Sequence, residues 1–158
     1  MEDTFEVKIV QLEPLHIASF PAYGPEPEYE AWERLVTWAK PLSLLEDTEK
    51  HRIFGFDTAG PSPSSQNRGY EFWIEVEPGF QSEDEVKIKA FSGGKYAVYR
   101  IPKVGHPWET IPAAWQALVL WQEDSAYKIA KAQCLEQHIG HADTPLADCP
   151  MDLYLAIE

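Results

Sequence analysis

Trp32-Glu33-Arg34-Leu35-Val36-Thr37-Trp38 recurs as Trp115-Gln116-Ala117-Leu118-Val119-Leu120-Trp121, the same Trp-x-x-Leu-Val-x-Trp pattern twice in one chain of 158 residues. In each copy the apolar residues fall three and four apart, the spacing of a helix with one buried face. Tryptophan at helical spacing is most economically packing, so neither helix is given a chemical role. Stretches that alternate apolar and polar residues flank both copies and read as strands. The expected architecture is α+β. Two duplicated strand-strand-helix-strand-strand modules, about 5–77 and 86–158, form one domain over 1–158. They are expected to build a curved antiparallel sheet with two helices behind it and a ligand cleft between the pseudo-symmetric halves.

Working outward, Gly24-Pro25-Glu26-Pro27-Glu28 opens the first helix, because proline suits the first turn and carboxylates suit the positive end of the helix dipole. The helix ends at Lys40-Pro41, where proline disfavours helical geometry for its neighbour. Gly105-His106-Pro107-Trp108-Glu109 opens the second helix in the same way. Phe5–Leu12 is expected to pair with His16–Tyr23 across Glu13-Pro14, and Val86–Phe91 with Lys95–Ile101 across Ser92-Gly93-Gly94. Ala59–Gly69, rich in Pro and Ser, reads as a loop or flap.

Two strands divide their faces cleanly. In Tyr70–Val76 the residues Phe72, Ile74 and Val76 point one way and Glu71, Trp73 and Glu75 the other. In Asp152–Ile157 the residues Leu153, Leu155 and Ile157 face the core, with Asp152 and Tyr154 away from it. Trp73 and Tyr154 are therefore counterparts under the repeat.

Thirteen Lys and Arg against 26 Asp and Glu leave a net charge of −13. Such a surface repels phosphate backbones and anionic headgroups, which argues against nucleic acid and membrane and towards a cationic ligand. Two cysteines and an amino terminus with neither a basic start nor an apolar run fit a cytoplasmic setting. Six Trp, seven Tyr and seven Phe exceed what a core of this size needs and suggest a pocket lined with rings. Cys134, His138, His141 and Cys149 match no zinc-ligand spacing, and no cofactor is expected.

In order along the chain, Tyr23-Gly24-Pro25, the Trp-x-x-Leu helix, Arg52-Ile53-Phe54-Gly55, Gly69-Tyr70-Glu71-Phe72-Trp73-Ile74, Gly93-Gly94-Lys95-Tyr96-Ala97-Val98 and Asp152-Leu153-Tyr154-Leu155 resemble the GyrI-like small-molecule-binding domain. That family is similar to the effector-binding domains of AraC-type and MerR-type regulators and to the bacterial gyrase inhibitory protein. The resemblance implies a glutamate deep in a ring-lined cleft that meets a flat cationic ligand. Glu136 matches the glutamate's position and Tyr154 an aromatic of the last strand. Trp73 joins them as a second wall, with Glu71 and Trp108 as further members; Trp108 equally suits a hydrophobic staple on the second helix.

No helix-turn-helix segment or basic stripe accompanies the pattern, so the resemblance implies a stand-alone effector-binding type of protein and no direct DNA contact. Three functions follow as expectations. The first is capture of drug-like aromatic cations. The second is hydrolysis of reactive electrophilic molecules with Glu136 activating water. The third is occupation of a basic partner site, such as gyrase, by the acidic surface.

Overall fold

The computed structural model describes residues 6–59, 67–82, 85–140 and 144–158. Of the Pro/Ser-rich segment expected as a loop or flap, 60–66 lie outside the described residues, as does His141. Along the chain run β1 (Val7–Leu12), β2 (Leu15–Gly24), α1 (Pro27–Ala39), β3 (Ile53–Ala59), β4 (Arg68–Val76) and β5 (Lys87–Phe91). There follow β6 (Gly94–Ile101), α2 (Pro107–Glu123), β7 (Leu135–His138) and β8 (Met151–Ala156). The class is α+β, and the named strand pairs are antiparallel.

Two compact units divide the chain: one comprises 1–13 and 93–158, the other 14–92. In the first, the strand order is β1-β6-β8-β7; in the second it is β5-β2-β4-β3. Each thus has two central strands with a helix between them in sequence. Neither expected hairpin forms. β1 pairs with β6 and β5 pairs with β2, so each unit takes its outer strand from beyond the short connections at Glu13-Pro14 and Ser92-Gly93. Gly93 is held at φ 74°, and a Cβ there would run into the backbone of Leu12 and Glu13. The glycine serves that close approach.

In the 14–92 unit, α1 begins with Pro27 in its first turn beside Glu28 and Glu30 and ends at Ala39, before Pro41. Ala31, Leu35 and Ala39 are fully buried against Ala18, Phe20, Phe72 and Ile74. Both tryptophans of the first repeat are packing residues at the margin of this core. The ring of Trp32 meets Phe72 edge-on at 5.3 Å, and Trp38 lies 5.5 Å from Phe20 and 5.7 Å from Phe80. Such ring pairs add about 0.5–1.5 kcal/mol each beyond the area they bury. Gly55 lets the Tyr70 ring lie flat on β3, where any Cβ would overlap it.

In the other unit, Leu118 of α2 is buried among Ala97, Ile101, Val104, Leu153 and Leu155, with Trp115 and Trp121 at the margin. Residues 125–132, between α2 and β7, contain no helix. They run beside the chain end through the Ile129–Ile157 bridge and paired backbone bonds between Lys128 and Glu158.

Candidate functional site

A strand exposes two faces, and the helix claims one of them. In the 14–92 unit the helix side takes Phe72, Ile74 and Val76, as the alternation of β4 indicates. Glu71, Trp73 and Glu75 occupy the helix-free side, where antiparallel register sets Trp73 opposite Ser19 and Phe54, and Glu71 opposite Phe56. Trp73 is sandwiched between rings, 4.8 Å from Phe56 and 5.1 Å from Phe91.

Glu71 is buried within this aromatic surface, and one of its oxygens collects three donors. Ser19 Oγ donates to Oε2 at 2.8 Å, Trp73 Nε1 donates to the same atom, and Lys89 Nζ approaches it at 3.2 Å. A carboxylate taken from water needs such partners, and charge-assisted bonds are the stronger kind. Two rows along, Glu75 is committed to Arg52, whose Nε and Nη2 reach its two oxygens at 2.8 and 3.3 Å.

In the 1–13 and 93–158 unit the helix-free face carries Tyr96, Val98 and Arg100 from β6 and Asp152 and Tyr154 from β8, cross-strand partners in register. The Tyr96 and Tyr154 rings meet edge-on at 5.7 Å. Burial, reinforced by Cys134, pushes the Tyr96 phenol up to about 12, so it stays protonated and donates to the Gln133 carbonyl at 2.7 Å. Asp152 is buried under Arg100, which grips it with Nε at 2.8 Å and Nη2 at 3.0 Å. That grip raises the guanidinium pKa further. By register Asp152 holds the place in its unit that Glu71 holds in the other, and sequence reasoning did not select it as a site residue.

Glu136 lies on the opposite face from Tyr154. Its cross-strand neighbour is Leu153, a core residue, and its Oε2 accepts a hydrogen bond from Trp115 Nε1 of α2 at 2.9 Å. Leu135, directly opposite Tyr154, and Gln137, opposite Asp152, are the β7 side chains that share this face, and Gln137 Oε1 accepts the Tyr154 hydroxyl at 2.7 Å. The structure therefore brings Glu71 together with Trp73, and Tyr154 together with Gln137.

Trp108, in the first turn of α2, is 74% exposed. Cys134 and Cys149 are free thiols. The Cys149 thiol is pushed up by burial and lies 3.3 Å from the Pro145 carbonyl. Among the described residues, no group of three or more His, Cys, Asp or Glu is placed to hold a metal ion. Nor is any helix among them long and apolar enough to cross a membrane.

A separate open groove of about 420 Å³ runs along α1, lined by Phe20, Glu33, Arg34, Thr37, Trp38 and Val86. Its ionic groups belong to an exposed helix face, and Arg34 is already spent on the Pro21 carbonyl.

Antiparallel units each backed by one helix make up an α+β domain. The chain belongs to the GyrI-like family: the family described as the GyrI-like small molecule binding domain matches residues 5–158. Among solved structures it is similar to the EcmrR C-terminal domain, at 13% identity and a TM-score of 0.69 over 98% of each chain. A hydrolase from Listeria innocua is similar at 10% identity and a TM-score of 0.67, over 99% of this chain and 94% of that one. SAV2435 bound to tetraphenylphosphonium is similar at 14% identity and a TM-score of 0.60, over 97% and 94%. At such identities the likeness is one of fold. No curated protein sequence matches the chain.

Proposed function

We propose that this protein captures hydrophobic, aromatic, cationic small molecules on the helix-free face of the 14–92 unit, with Glu71 as charge partner and Trp73, Phe56 and Phe91 as the aromatic wall. The observation that carries this reading is the buried Glu71 carboxylate, already oriented by Ser19 and Trp73 within a ring-lined surface. Low dielectric strengthens its attraction for a cation, and each aromatic face adds about 0.5–2 kcal/mol to cation binding. The tetraphenylphosphonium carried by SAV2435, a relative in fold, supplies a suitable probe.

The test is calorimetric titration of the protein and Glu71→Gln with tetraphenylphosphonium and with neutral triphenylphosphine oxide. Glu71→Gln should weaken the cation at least tenfold, about 1.4 kcal/mol, and leave the neutral compound within twofold. Equal losses for both compounds would remove the charge argument.

Capture is favoured over hydrolysis by the state of Glu71 itself: Ser19 Oγ, Trp73 Nε1 and Lys89 Nζ all donate to its Oε2, and a carboxylate so neutralised is a poor base towards water. Chromatography of the titrated mixtures reads turnover directly: intact ligand after prolonged incubation is expected, and product would restore the hydrolase reading.

A further inference from the structure

We infer that Lys89 determines which ligands the Glu71 site accepts, because in the free protein its ammonium occupies the place that a ligand's positive charge takes. The inference rests on the reading of Glu71 as the charge partner and adds the residue that competes with the ligand there.

The two buried carboxylates on helix-free faces are neutralised in different ways. Asp152 is clamped by a planar guanidinium through two bonds of 2.8 and 3.0 Å. Glu71 has a single ammonium contact at 3.2 Å, and the other donors to that oxygen, Ser19 and Trp73, are neutral. An arginine fork is directional and pre-organised, whereas a lysine ammonium is a point charge on a flexible four-carbon stem. Of the two cations, Lys89 is the one built to leave.

Its position agrees with that role. Lys89 extends from β5, whose named strand partner is β2, and its side chain is 44% exposed, against 11% for the Glu71 side chain beneath it. Swinging the ammonium into water uncovers a carboxylate that Ser19 and Trp73 continue to aim. Among the described residues no hydrogen bond reaches Glu71 Oε1, so a second acceptor atom is there for an incoming donor. A neutral aromatic cannot replace the charge it would displace, and it must bind with the Lys89–Glu71 pair intact. A cation replaces that charge and is selected for doing so.

Calorimetric titrations of the full chain with tetraphenylphosphonium and with triphenylphosphine oxide test this, using Lys89→Met, Lys89→Arg, Glu71→Gln and the Lys89→Met/Glu71→Gln double variant. Methionine keeps an apolar stem and removes the competitor; Lys89→Gln serves in its place if Lys89→Met does not melt like the parent protein. Lys89→Met should bind the phosphonium at least tenfold more tightly than the parent. Lys89→Arg should bind no more tightly than the parent, the phosphine oxide should shift less than twofold throughout, and the double variant should lose the gain.

If Glu71→Gln weakens the cation but Lys89→Met leaves it unchanged or weaker, the role of Lys89 is overturned and the Glu71 site stands. If neither background depends on Glu71, or Lys89→Met binds no cation, both fall.

Discussion

Trp73→Ala is expected to cost about 3–5 kcal/mol of folding stability, the range for truncating a large buried aromatic. The ring is 7% exposed and touches Phe56 on one side and Phe91 on the other. Its removal also deletes the indole donor to Glu71 Oε2, leaving the buried carboxylate with Ser19 and Lys89. Urea denaturation followed by circular dichroism measures the loss. Trp73→Phe separates the two contributions, since it keeps most of the ring contact and removes only the N–H. About 1–3 kcal/mol is the expected cost of that bond alone. A loss below 1 kcal/mol for Trp73→Ala would mean that the ring is not a packed wall of this face.

The parts of this arrangement that could be read from sequence are those with an unbroken period. The two Trp-x-x-Leu-Val-x-Trp copies announce helices because every apolar residue repeats at helical spacing. β4 announces its faces because Glu71 and Glu75 share one side and Phe72, Ile74 and Val76 the other, with Trp73 the one apolar residue on the glutamate side. Alternation fixes which side a residue takes but not which strand lies next to it. Glu13-Pro14 and Ser92-Gly93-Gly94 look like hairpin turns, yet each is a connection whose flanking strands pair elsewhere, β1 with β6 and β5 with β2. Lys89 therefore reaches Glu71 through a pairing that no local pattern signals. Asp152 is read on the correct side of β8, but its partner Arg100 is 52 positions away in sequence and is found only through the register of β6 with β8.

β7 gives the least to read. Leu135-Glu136-Gln137-His138 is four residues long, mixes polar and apolar side chains, and all but Gln137 are buried, so no alternation tells one face from the other. A shift of one residue on a strand exchanges the faces. The face of Tyr154 receives Gln137, and Glu136 turns to the helix.

Glu136→Ala consequently tests the geometry from the other side. It is expected to destabilise the protein by about 1–3 kcal/mol, because the truncation leaves the Trp115 indole N–H at the margin of the core without its 2.9 Å acceptor. Tetraphenylphosphonium affinity should stay within twofold of the parent, since the carboxylate lies on the face that α2 covers, opposite to that of Tyr154. Trp115→Phe should reproduce part of the stability loss. In the Glu136→Ala background it should add less than its own single effect, as two residues sharing one bond do in a double-mutant cycle. Denaturation midpoints and calorimetry on the four proteins of the cycle decide the matter. A tenfold loss of cation affinity in Glu136→Ala with none in Glu71→Gln would return the ligand's charge partner to β7.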